Sequence, residues 1–308
     1  MATKVTVVET MRSLLYLPYY LALARGTCQR MGLEVDNRLS PDAVTAPRMI
    51  VDGDADIYIG GPARVMMNYH ADDNCPLICF GLIATRNPFV LIGAQDNPGF
   101  KLSDLRSMRV GVAIEAPTPW LMLQQALRHA GIAPEEISLA PRVSMAENIN
   151  RLRDGAVDVI QTMEPFTDAA SEGTGGHIWY KGSTQGEIGF SSLVTTEKCA
   201  DEKADMCSAI LTGLAESQRS LCALPPAQIA REIAPFFPQV GSARLVRAIT
   251  RYRENGIWAC HPWFSQEAYR SMGDIMVRGG KFPRFPPHEQ VVRNVFLPKK
   301  TSIFGQVR

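Results

Sequence analysis

The chain has 308 residues, which at about 150 residues per domain points to two domains, and its 46% apolar and 20% charged make-up excludes a disordered chain. Lys plus Arg total 32 against 31 for Asp plus Glu, so a net charge of +1 supplies no general field for nucleic acid or an anionic membrane. No apolar run reaches the roughly 20 residues that cross a bilayer, and the longest candidate, Leu14 to Ala24, contains Pro18, so the protein is expected not to be membrane-embedded.

The start, Met1 to Val8, passes straight into an alternating strand pattern with no basic, apolar and cleavage-site order ahead of it. The expected location is therefore periplasmic if a leader has been removed, and cytoplasmic otherwise. Seven cysteines (Cys28, Cys75, Cys79, Cys199, Cys207, Cys222, Cys260) include no CxxC pair and are too few for a disulfide scaffold, so they read as buried thiols.

In chain order, Lys4 to Glu9 alternates as a half-buried strand, followed by a helix from about Ser13 with Pro18 near its first turn and Gly32 closing it. Leu33 to Val35 is a short strand. Ser40-Pro41-Asp42 reads as a helix start, with Pro47 keeping that helix short. Asp56 to Ile59 is a strand stopped by Gly60 and Gly61, and Pro62 opens a helix to Tyr69 or His70. Leu77 to Ala84 and Phe89 to Ala94 are two strands around a turn at Arg86-Asn87-Pro88.

The pattern then repeats. Met108 to Ile114 is a strand, Thr118-Pro119 opens a helix with the apolar stripe Trp120, Leu123, Leu127, and Gly131 ends it. Ile137 to Ala140 is a strand, Ser144 to Glu147 is a capping box, and Val157 to Thr162 is a strand stopped by Glu164-Pro165. The glycines near 173 to 176 lack the Lys and Ser/Thr of a phosphate loop and read as a plain loop. Gly53 to Ile57 before Pro62 matches Gly155 to Val159 before Pro165, so the unit is a duplicated βαβαβ. Two α/β lobes follow, each a mainly parallel sheet flanked by helices. After a strand at Phe190 to Thr196, four proline-punctuated helices lie at about 203 to 278, with no sheet of their own, and are expected to pack on the first lobe.

In open α/β sheets, ligands bind beyond the carboxyl ends of the strands, where helix N-termini aim unpaired N–H groups. That edge gathers Arg12, Ser13, Leu14 and Tyr16; Gly61, Pro62, Ala63 and Arg64; Asn87 and Phe89; Thr118, Pro119 and Trp120; Glu164; and Phe190 and Ser191. Arg12, Arg64 and Arg86 offer fork-shaped donors to a carboxylate or sulfonate, or are simply solvated. Glu164 suits an amino or ring N–H group, or caps a helix. Tyr16, Tyr19, Phe89, Trp120 and Phe190 are candidate stacking walls or plain core. His70-Ala-Asp72-Asp73 has metal-friendly residue types but reads as a solvated turn, and Cys260-His261 as a packed turn without a catalytic role. No cofactor and no metal are expected.

Tyr16 to Gly26, Met31 to Val35, Gly53 to Pro62, Leu105 to Val112 and Met163 to Phe166, taken in that order, resemble the type II periplasmic-binding-protein superfamily. The resembling branch is that of the sulfonate, nitrate and thiamine-pyrimidine (SsuA/THI5-like, NMT1) substrate-binding proteins. The resemblance implies a two-lobed α/β receptor with lobe I at 1–95, lobe II at 96–192, and a return strand with C-terminal helices at 193–308. Crossovers near Gln95 to Gly99 and Phe190 to Thr196 would be its hinge. It implies a monomer that closes on a small aromatic, heterocyclic or anionic organic molecule and delivers it to an ABC permease and ATPase. The branch's pyrimidine synthases carry a histidine where this chain has Arg64, and a cysteine cluster missing here, which argues against that chemistry. An enzyme on the same scaffold, a decarboxylase or desulfinase, and a ligand sensor are the rival readings.

Overall fold

The computed structural model describes residues 2–42, 44–115 and 118–296. The chain lays down β1 (Thr3–Glu9), β2 (Leu33–Leu39), β3 (Ile57–Gly60) and β4 (Leu77–Ala84) before β5 (Val90–Gly93), β6 (Arg109–Gly111), β7 (Ser138–Leu139), β8 (Val159–Thr162) and β9 (His177–Lys181). It then returns through β10 (Ser191–Thr196). Two five-stranded sheets result, ordered β2-β1-β3-β10-β4 and β7-β6-β8-β5-β9. In each, the first three strands run parallel and the fourth runs antiparallel to both neighbours. The repeat expected from sequence is thus the repeat of the sheets, and each sheet takes its antiparallel strand directly after a crossover.

Membership of β5 in the second sheet moves the first crossover. The chain leaves the first sheet after Ala84 and pairs Val90 with Thr162 and Lys181, so the passage is 85–89 and not Gln95 to Gly99, and the division falls ahead of residue 95. The return passage is 182–190, and β10 belongs to the first sheet from Ser191, so the division at 192 also shifts. The physical reason is pairing: Val90 to Gly93 is fully buried and apolar, and finds its hydrogen bonds between β8 and β9.

Local chemistry accounts for several element ends. Ser13 Oγ accepts from Leu15 N at 3.2 Å, and Ser144 Oγ from Glu147 N at 3.1 Å, each satisfying an orphan donor of a helix start. Asp42, expected inside a helix beginning at Pro41, instead accepts from Val44 N and Thr45 N, both at 2.7 Å, and the helix runs Thr45–Val51. The expected glycine loop is also corrected. Gly173 lies within the helix Phe166–Thr174, and Gly175, at φ 69°, closes it in the left-handed region that glycine tolerates.

The tail helices Ala204–Ala223, Pro226–Ile233 and Ser242–Glu254 share one core with β1, β3 and β4. The packing is broader than expected, because the helix Gln266–Arg278 places Met272 and Ile275 in a core that also holds Leu121 and Met122 of the helix Thr118–His129, which follows β6. The tail therefore touches both halves. Four of the seven cysteines are buried, but Cys222 and Cys260 are exposed, against the expectation of buried thiols. No helix among the described residues is long and apolar enough to cross a membrane.

Candidate functional site

The carboxyl ends of β1, β3, β6 and β8 converge on one cavity between the two sheets. It offers about 110 Å³ to the centre of a water-sized sphere, several times the 10–15 Å³ that holds one water on that measure. The first half contributes Thr10, Met11, Ser13, Leu15 and Tyr16 beyond β1, then Tyr58, Gly60 and Gly61 at the end of β3, and Ala63, Arg64 and Met67 from the helix Pro62–Ala71. The second half contributes Ala113, Glu115, Thr118, Pro119, Met145 and Met163, while Phe89 and Phe190 come from the crossovers and Ser191 from the first residue of β10.

Two glycines make room for this wall. A Cβ on Gly60 would lie 2.0 Å from Tyr58 Cζ, so the Tyr58 ring folds over a position only glycine vacates, and a Cβ on Gly61 would come 3.1 Å from the Phe190 carbonyl. Burial pushes the Tyr58 phenol up to about 12 and the Tyr16 phenol higher still, so both are neutral hydroxyls at neutral pH.

Charge on the wall comes from both halves. Arg64 sits in the first turn of its helix and, among the described residues, its guanidinium has no ion pair. Glu115 Oε1 accepts from Met145 N at 2.8 Å, at the start of the helix Met145–Arg153, and its other oxygen is buried without a hydrogen-bond partner among the described residues. Ser191 Oγ, in a residue 1% exposed, likewise has no partner. Such orphan polar atoms on a cavity wall are positions a ligand would satisfy.

Residues 15–227 match the family model described as NMT1/THI5 like. The chain belongs to the NMT1/THI5-like family. Among curated proteins, the putative binding protein YtlA of Bacillus subtilis (strain 168) is 20% identical over 302 residues, covering 97% of this chain and 90% of its own length. Among solved structures, the alkanesulfonate-binding protein SsuA from Xanthomonas axonopodis pv. citri, bound to MOPS, matches with a TM-score of 0.75 at 13% identity over 95% of this chain and 99% of that one. The desulfurization enzyme DszB matches with a TM-score of 0.70 at 12% identity over 96% and 97% of the two chains. The NMT1/THI5-like chain thus has the two-lobed type II periplasmic-binding-protein fold.

Within this NMT1/THI5-like cavity, ten of the residues chosen from sequence line the wall: Ser13, Tyr16, Gly61, Ala63, Arg64, Phe89, Thr118, Pro119, Phe190 and Ser191. Arg12, Leu14, Pro62, Asn87, Trp120 and Glu164 do not. Arg12 pairs with Glu9 at 2.9 Å and lies over the Tyr20 ring, and Leu14 is core at 1% exposure. Pro62 is the buried first residue of its helix, and Trp120 packs against the core of the second half. Asn87 is spent on the crossovers, its Oδ1 accepting from Phe89 N at 3.1 Å and its Nδ2 donating to Gln185 Oε1 at 3.2 Å. Glu164 faces Arg251 of the tail at 2.6 Å. Arg86 donates to the Ser183 carbonyl, and the Tyr19 hydroxyl to Asn37 Oδ1 at 2.9 Å, so neither serves the cavity.

Sequence reasoning missed Thr10, Met11, Tyr58, Met67, Ala113, Glu115 and Met145. Thr10 and Glu115 follow β1 and β6 ahead of the candidates chosen there, and the strand-end rule applied closer to the last strand residue reaches them. Tyr58 lies inside a strand and Met145 inside a capping box, and nothing local marks either as facing a ligand.

Proposed function

We propose that this chain is the substrate-binding protein of an ABC-type importer, closing its two lobes on a small organic anion. The observation that carries the reading is the Arg64 guanidinium, without an ion pair among the described residues, on the wall of a cavity built from both halves, with the Ser191 hydroxyl, unpartnered among the described residues, on the same wall. A guanidinium presents parallel N–H donors that fit a sulfonate or carboxylate, and the neutral Tyr16 and Tyr58 phenols add hydroxyl donors. Phe89, Phe190 and Met145 supply apolar wall for the rest of the molecule. Glu115, held at a helix start by one oxygen, favours ligands that also carry an N–H donor.

A ligand touching both halves has greater affinity for the closed form, and that difference shifts the open-closed equilibrium; no covalent step is needed. The passages 85–89 and 182–190 serve as the hinge. Delivery to a permease and ATPase, and residence in the periplasm, follow from this role.

The test is calorimetric titration with alkanesulfonates, sulfonated amines such as MOPS, and aromatic carboxylates, alongside Arg64→Ala. Saturable binding by the native protein, weakened at least tenfold by Arg64→Ala while the melting temperature holds, supports the reading. Absence of binding across all three classes at millimolar concentration overturns it. Product appearing in the titrated mixture would instead favour an enzyme on this fold.

A further inference from the structure

Cys222 and Cys260 are the two exposed cysteines, and their sulfurs lie 3.5 Å apart. We propose that they form a disulfide that clasps two segments of the tail to each other beside the strand that feeds the first crossover. Both sulfurs sit on framework already fixed to the same residue. Cys222 lies near the end of the helix Ala204–Ala223, whose Gln218 Nε2 donates to the Leu82 carbonyl at 2.8 Å. Cys260 lies in the segment whose Pro262 carbonyl accepts from Leu82 N at 2.7 Å and whose Ala259 N donates to the Ile83 carbonyl at 3.0 Å.

With the two mounts held by one strand, the sulfurs need approach by only about 1.5 Å to reach bonding distance, a movement within reach of side-chain rotation. The clasp matters because of what the segment supports. Ile257 accepts from Thr85 N at 2.9 Å, at the first residue of the crossover, and Trp258 Nε1 donates at 3.0 Å to the carbonyl of Leu15, a residue on the cavity wall. A bond at Cys260 therefore fixes the brace of both the hinge strand and one side of the cavity.

The chemistry is thiol–disulfide exchange with a low-molecular-weight disulfide such as oxidised glutathione. The thiolate of Cys222 attacks one sulfur of the oxidant, forming a mixed disulfide and expelling one glutathione thiolate, which is protonated. The thiolate of Cys260 then attacks the Cys222 sulfur and expels the second. Two protein thiols lose two electrons and two protons, and the oxidant is reduced to two thiols. Partial desolvation of its sulfur and the neighbouring Cys222 push the Cys260 thiol up to about 11, which suits it to the second, intramolecular step, where proximity compensates for a small thiolate fraction.

The test equilibrates the full chain with a series of oxidised and reduced glutathione mixtures, alkylates free thiols, and reads intact mass and disulfide-linked peptides. The expected result is a loss of two hydrogens and a single Cys222–Cys260 cross-link, absent from Cys222→Ser and Cys260→Ser. Oxidised native protein should melt on the order of 5 °C above its reduced form, with the double serine variant insensitive to the glutathione ratio. Alkylation of both thiols at every ratio, a stable glutathione adduct at Cys222, or a cross-link to any other cysteine overturns the proposal.

Discussion

Arg251 Nε lies 2.6 Å from Glu164 Oε1, joining a helix of the C-terminal tail to the chain just beyond β8 in the second sheet. The acid is 2% exposed, and burial pushes its carboxyl above the usual range despite the opposing hydrogen bond from Arg251. Asp168 is also costly to bury, yet hydrogen bonds from Arg247 and Arg251 outweigh that cost and hold its carboxyl below the usual range. Arg244 and Arg247 pair in addition with Glu172. Acids spaced at one helical turn thus meet arginines on successive turns of the facing helix, and the tail that is built on the first sheet grips the second half.

Replacing Arg251 by Met leaves Glu164 and Asp168 short of a partner. Loss of one member of a buried pair costs about 3–5 kcal/mol, and the lower end applies here because the Arg251 side chain is 26% exposed. Urea denaturation reads this directly. Glu164→Gln in the same background should recover part of the loss, and a double-mutant coupling near zero would show the pair to be inert.

Glu9 is fully buried, and burial raises its carboxyl above the ordinary value against hydrogen bonds from Tyr20 and Asn37 and the charge of Arg12. A raised folded value means the folded state holds its proton more tightly than the unfolded chain. Its contribution to stability is therefore full below about pH 4.5 and is lost as pH rises through the folded value. The melting temperature of native protein relative to Glu9→Gln should accordingly fall between about pH 4 and pH 7; a difference that grows over that range contradicts the assignment.

Ser191 Oγ is buried and has no hydrogen-bond partner among the described residues, so it is a desolvated hydroxyl without compensation from the protein. Ser191→Ala should leave the melting temperature unchanged or slightly higher, yet weaken the ligand found by titration by about fivefold to tenfold, the worth of one hydrogen bond. Equal affinity in the two proteins would remove Ser191 from the site.

The position of the hinge is open to a paired substitution. A Cβ on Gly182 would come 2.3 Å from Asn87 Nδ2 and 2.7 Å from the Phe89 carbonyl, where the two crossovers touch, whereas one on Gly99 meets nothing closer than Asn97 Oδ1 at 4.0 Å. Gly182→Ala should cost about 1–3 kcal/mol in denaturant melts and shift ligand affinity, and Gly99→Ala should change neither by more than about 0.5 kcal/mol. The opposite ranking would return the hinge to 95–99.

Much of the fold was legible because its signals are short-ranged. Ser13, Ser144 and Pro62 announce helix starts through hydrogen bonds or a fixed φ that involve only the next few residues. Alternation and apolar runs mark the strands, and the matching Gly53 to Ile57 and Gly155 to Val159 expose the repeat that becomes two sheets of like order. The helix Phe166–Thr174 and β9 were hidden by glycines and by the half-exposed pattern of His177 to Lys181.

The site divides along the same line. That the strand ends after β1 and β3 and the start of the helix at Thr118 would face a ligand follows from chain order alone, since a parallel sheet fixes which ends share an edge. Which side chains on that edge remain free is settled by partners far away in sequence. Glu164 is claimed by Arg251, 87 positions on, and Asn87 by Gln185, 98 positions on, while among the described residues Arg64 has no ion pair and Ser191 Oγ no hydrogen-bond partner. Periodicity and capping are properties of a few adjacent residues, so the chain carries them on its face; pairing and burial depend on which distant segments pack together, and only the folded molecule decides that.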